Sequence, residues 1–136
     1  RQFKPVAIDR SQPRRALRQL LVQGGRYLQE GLWVVVFPEG TRVPPGSRGR
    51  YALGGSLLAE KNRVPVVPVA HNAGDFWPPR GFLKRPGTVC IRFGEHIDSG
   101  NKNAEEINAA AEQWIEQTTA ALHESGGAHS DERKQN

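Results

Sequence analysis

The 136 residues contain one cysteine, Cys90, and no methionine. A single thiol excludes a disulfide framework and a thiolate-bound metal cluster, and it fits a reducing compartment. No apolar run approaches the roughly 18–20 residues that a membrane-spanning helix needs. The longest, Leu32–Phe37, has the length of a strand. The absence of methionine, together with an opening Arg1-Gln2-Phe3-Lys4 that carries no signal-like pattern, is what a processed or excised segment would show. Acidic residues are scarce over most of the chain: residues 1–92 hold sixteen Lys/Arg against five Asp/Glu. Residues 93–136 reverse the balance, with three against nine. A basic body with an acidic last segment points to an anionic partner such as a phosphate, an anionic lipid headgroup or nucleic acid, although a solvated basic surface has the same composition. No nucleic-acid recognition motif accompanies the charge.

What is present alternates between strand-like and helix-like segments. Pro5-Val6-Ala7-Ile8 reads as a short strand ending at Asp9-Arg10. Ser11 and Pro13 mark a helix start, and Leu17, Leu20, Leu21 and Leu28 fall on one helical face. Gly24-Gly25 weakens that helix by about 1 kcal/mol per glycine but permits close packing against a sheet, and Gly31 is a natural stop. Leu32–Phe37 reads as a second strand, apolar on both sides as in a central parallel strand. A Pro- and Gly-marked loop, 43–51, precedes a short helix over about 53–61 with Leu53, Leu57 and Leu58 inward.

Val64–Ala70, VPVVPVA, is a third strand whose two prolines place it at a sheet edge or exit. A loop over 72–87 leads to a fourth strand, Thr88–Phe93. The last helix opens on a capping box, Asn103 with Glu106. It buries Ile107, Ala111, Trp114, Ile115, Thr118 and Leu122. Residues 125–136 are expected to form a disordered polar tail, leaving 1–124 as the structured unit. The order implies an α/β fold: a mostly parallel sheet with flanking helices.

In such folds ligands sit at the carboxyl ends of the strands. Asp9-Arg10 and Glu39-Gly40-Thr41-Arg42 both follow strands there. Arg10 and Arg42 suit a phosphate, whose oxygens a guanidinium fork grips bidentately. Gly40 allows close backbone approach, Thr41 can donate a hydrogen bond, and Glu39 beside two arginines is expected to be ionised and to orient either them or a substrate hydroxyl. The same residues also describe an ordinary Glu–Arg pair closing a loop. Cys90 reads as a packing or edge residue rather than a nucleophile. Phe76 and Trp77 beside Arg80, Lys84 and Arg85 suit either a bilayer surface or a loop folded on the domain.

The spelling of these segments carries a resemblance. VVVFPEGTR, Val34–Arg42, resembles the third signature of the glycerolipid acyltransferases, the 1-acylglycerol-3-phosphate (lysophosphatidic acid) acyltransferases. VPVVPVA resembles the fourth, and VAIDR, Val6–Arg10, the end of the second, with Ala7 where an aromatic is usual. HNAGDFWPPRGFLKRPGTV resembles the loop and strand that follow in bacterial members. The resemblance spans about residues 3–98.

It implies an acyltransferase that forms phosphatidic acid from lysophosphatidic acid. The acyl thioester, on coenzyme A or acyl-carrier protein, is a co-substrate; no further cofactor and no metal are implied. Residues Arg10, Glu39, Gly40, Thr41 and Arg42 would form the acceptor site, and Val67 and Pro68 the acyl or donor side. The resemblance also implies association with the membrane at the cytoplasmic face of the inner (plasma) membrane.

The family's first signature, a His followed five positions later by Asp, does not occur in these residues. His71, His96, His123 and His129 are followed at that spacing by Phe76, Asn101, Ala128 and Lys134. His71 and Asp75 are four apart and lie after the fourth signature, so they read as loop-capping residues. The expectation is an incomplete acyltransferase domain, inactive alone, with no catalytic residue in the chain. Alternatives are an acyltransferase for another lysophospholipid and a non-catalytic basic module that docks on anionic membranes.

Overall fold

The computed structural model describes residues 5–6, 12–44, 46–77 and 83–131, with side chains described through residue 124. The strand expected at residues 5–8 lies mostly outside these. Helix α1 spans Pro13–Gln29 with proline in its first turn, where a missing N–H costs nothing. Gly31, at φ 73°, ends it in the left-handed region. Helix α2 covers Gly54–Asn62. Strand β1, Val69–His71, leads into the short helix α3, Ala73–Phe76. Strand β2 is Ile91–Phe93, and helix α4 runs Ala104–Asp131.

The core forms where the helices meet. α1 packs on α2, α2 on α4, and α4 on β1. Gly24 and Gly25 are buried. A Cβ on Gly24 would lie 2.7 Å from Leu58 Cδ2, so the pair sets a close helix–helix contact with α2 rather than the expected contact with a sheet. Leu58, Ala59, Ala70, Ala104, Ile107 and Leu122 are buried together with Tyr51. Leu53, expected inward, is exposed, because α2 begins one residue after it.

The capping box of α4 is reciprocal. Glu106 N–H donates to Asn103 Oδ1 and Asn103 N–H to Glu106 Oε2, each at 2.9 Å, satisfying two otherwise orphaned donors. Helical backbone continues through Gly126-Gly127 to Asp131, past the expected end before Ser125.

The expected mixture of helix and sheet is present, but the pairing among the described residues is antiparallel. β1 and β2 pair with Ala70 opposite Arg92, and an isolated bridge joins Val66 to Ile97. The physical reason is the connection. Among the described residues the only helix between β1 and β2 is the single-turn α3, too short to make a crossover, so the chain returns antiparallel. Leu32–Phe37 differs more from expectation. It is extended but joins no ladder among the described residues, and Trp33, Val35 and Phe37 are 87%, 75% and 76% exposed. An apolar run is buried on both faces only where neighbouring strands and helices cover it; here the described residues cover one face in part, with Val34 half-buried and Val36 against α2 at Gly55, and leave the face of Trp33, Val35 and Phe37 open.

Candidate acceptor site

The segment after Leu32–Phe37 turns at once. Gly40 N–H donates to Phe37 C=O at 3.0 Å, closing a turn with Pro38 preset at its second position. Gly40 takes φ 66°, and a Cβ there would meet no described residue within 4 Å, so the glycine serves the backbone shape of the turn. The loop closes where Ala52 N–H donates to Pro38 C=O at 2.9 Å. Thr41 and Arg42 are exposed on this loop. Arg42 forms no ion pair with another described residue. A guanidinium held out on a turn, with no carboxylate among the described residues to neutralise it, is available to an anion.

Arg10 lies outside the described residues, and so does the expected crevice between Arg10 and Arg42. The expectation for Glu39 is corrected. It does not pair with Arg42. Its carboxylate lies against Gly49, and burial, then the nearby Glu116, push its pKa above the ordinary carboxylate range, with His71 opposing the shift. Partial desolvation and a like charge both raise the pKa, the opposite direction from the shift that flanking arginines would cause.

Sequence reasoning missed the residues that anchor this loop. Tyr51 O–H donates to Glu116 Oε1 at 2.9 Å. Arg48 donates to Glu112 Oε1 from Nε at 3.0 Å and from Nη2 at 2.7 Å. The available signal was the i, i+4 spacing of Glu112 and Glu116, which puts both carboxylates on one face of α4, beside an aromatic hydroxyl that ends the loop.

On the other side of the fold, Pro68 is buried and Val67 half-buried. Pro68 C=O accepts Gly94 N–H at 2.9 Å. A Cβ on Gly94 would sit 2.7 Å from the Trp114 ring and 2.8 Å from Pro68 Cγ, so α4 closes directly over the fourth signature. Pro68, Ile97, Ala110 and Trp114 line an open groove of about 400 Å³ with Glu95 at its rim.

His71 and Asp75 do not pair with each other. His71 Nδ1 accepts Ala73 N–H at 3.2 Å, a local cap, and Asp75 meets His123 Nδ1 at 2.7 Å. Cys90 is exposed, and its backbone N–H donates to the buried Asn72 Oδ1 at 2.8 Å. Trp77 carries Lys84 Nζ 4.1 Å above its ring, a cation–π contact.

Three comparisons bear on this geometry. A family model described as Acyltransferase matches residues 1–72. A 1-acyl-sn-glycerol-3-phosphate acyltransferase of Pseudomonas aeruginosa is 46% identical over 123 residues, covering 88% of this chain and 48% of that protein. A human 1-acyl-sn-glycerol-3-phosphate acyltransferase beta is 29% identical over 103 residues, covering 75% of this chain and 37% of that protein. Among solved structures, the crystal structure of the 1-acyl-sn-glycerophosphate (LPA) acyltransferase PlsC from Thermotoga maritima superposes with TM-score 0.66 at 31% identity, covering 80% of this chain and 44% of that chain. The chain thus spans about half the length, or less, of the relatives it matches.

Proposed function

Because this chain belongs to the acyltransferase family, we propose that it holds and orients the acceptor in a 1-acylglycerol-3-phosphate acyltransferase. The observation that carries the reading is Arg42, exposed beside the turn at Gly40 and without an ion pair among the described residues. Its fork grips the acceptor's phosphate, while the Gly40 turn lets the ligand approach the backbone and Thr41 donates a further hydrogen bond. Arg10 supplies a second cation to the same phosphate. Glu39, its pKa raised, braces the loop rather than competing with the phosphate for Arg42. On the donor side Val67 and Pro68 shape a wall, and the groove along Ile97, Ala110 and Trp114 suits an acyl chain or the apolar part of the thioester donor.

The reaction joins the acceptor's free hydroxyl to the thioester carbonyl. A new ester forms, the C–S bond breaks, and the hydroxyl proton passes to a base. No His in the 136 residues is followed five positions later by Asp, so these residues bind and orient, and the base is not among them. Lysophosphatidic acid is the acceptor that the names of the relatives favour; another lysophospholipid would meet the same phosphate contacts. The basic body, with exposed Leu83 and the Trp77–Lys84 pair, suits peripheral attachment to an anionic membrane at the cytoplasmic face. Steady-state kinetics of Arg42→Ala in the full-length protein test the reading. The KM for lysophosphatidic acid is expected to rise about tenfold or more, the worth of a charge-assisted contact. An unchanged KM removes Arg42 from the phosphate site.

A further inference from the structure

The loop that carries Arg42 has a neck and two distant ties. The neck is the hydrogen bond from Ala52 N–H to Pro38 C=O. Between these residues the described chain forms neither helix nor strand, so backbone pairing alone does not fix where Arg42 stands. Both ties run to one face of α4: Arg48 to Glu112, and Tyr51 to Glu116. They are not equal. The Arg48 side chain is 67% exposed, and ion pairs of that kind contribute little. Tyr51 is 8% exposed, and a buried phenol left without its partner is costly. Burial, and then the bond to Glu116, hold the phenol far above its ordinary pKa, so it remains a donor. Glu116 also acts electrostatically on Glu39, the first polar residue of the turn. One α4 carboxylate therefore binds one end of the loop and acts through its charge on the other.

We propose that Tyr51 and Glu116 are positioning residues for acceptor binding: their hydrogen bond fixes the loop that presents Arg42 against the last helix. The inference rests on the acceptor reading above and deepens it. Without the tie the loop must be ordered by the ligand itself, and that cost appears as lost affinity. Neither residue touches the acceptor, so the effect belongs to KM for the acceptor and not to the acyl donor.

The test uses the full-length protein, with Tyr51→Phe, Glu116→Ala and Glu116→Gln measured beside Arg42→Ala. Both substrates are varied, and amide exchange is followed across residues 40–50. Tyr51→Phe and Glu116→Ala are expected to raise KM for lysophosphatidic acid about three- to tenfold, the worth of one hydrogen bond. The expected kcat stays within about twofold on the same principle, the donor KM is unchanged, and loop exchange is faster. Glu116→Gln keeps an acceptor oxygen for the phenol and returns KM toward the parent value.

A Tyr51→Phe protein with unchanged acceptor KM overturns the inference. A rise shared equally by both substrates, or one without faster loop exchange, does the same. If Arg42→Ala raises KM while Tyr51→Phe is silent, only this inference falls. If Arg42→Ala is silent, the acceptor reading falls and this inference with it.

Discussion

Two apolar segments, Leu32–Phe37 and Val64–Ala70, look alike in sequence, and each leads into or forms one family signature. Their surroundings differ sharply. The second bridges Ile97 through Val66, pairs with β2 through Val69–His71, and is roofed by Trp114 of α4. Ala70 within it is 1% exposed. The first is extended without a ladder among the described residues and leaves Trp33 and Phe37 open. Local connection explains the contrast. Residues 66–71 find partners 20–31 positions later in the chain, whereas a central strand draws its neighbours from distant parts of a sheet. An apolar run specifies extension; what covers it is set elsewhere in the fold.

The contrast can be broken by substitution. The largest stability effect belongs to the covered segment: Ala70→Leu overpacks the space beneath α4 and should cost about 1–3 kcal/mol in chemical denaturation. A neutral result would mean that α4 does not close over β1 in solution. A smaller effect concerns how the uncovered segment ends. The pKa of Glu39 is raised on folding, so its ionisation opposes the native state. Its contribution to stability is greatest below the ordinary glutamate range and is lost as pH rises through the raised value. The Tm difference between the parent and Glu39→Gln should therefore fall from about pH 4 to about pH 7. A difference that grows over this window would show a carboxylate paired with arginine, as the sequence alone suggests. The smallest effect is expected at Val35, 75% exposed: Val35→Thr should stay within about 0.5 kcal/mol, and a loss well above that would reveal a covered strand.

Much of the helical framework was legible in the sequence because its signals are local. The proline at the start of α1, Gly31 at its end and the Asn103/Glu106 box each act within one turn of helix, and each appears where its chemistry puts it. The turn at Gly40 was legible for the same reason. The environment of Glu39 was not. Neighbours in sequence suggested arginines, but folding brings Glu116 from α4 instead, and the Tyr51–Glu116 bond joins residues 65 positions apart. Strand direction failed similarly: alternation predicts parallel pairing only where a helix makes the crossover, and α3 is a single turn. Asn72, where the sequence suggests the start of a loop, is 2% exposed and holds the backbone of Cys90.

In the acceptor reading proposed above, the loop after Leu32–Phe37 presents Arg42 to a phosphate. Comparing kcat/KM for lysophosphatidic acid with that for an uncharged monoacylglycerol, in the parent full-length protein and in Arg42→Ala, tests it most directly. The parent is expected to prefer the phosphate-bearing acceptor, and Arg42→Ala to lose about tenfold or more of that preference while its rate with the uncharged acceptor stays the same. An equal loss with both acceptors, or an undiminished preference in Arg42→Ala, would contradict it.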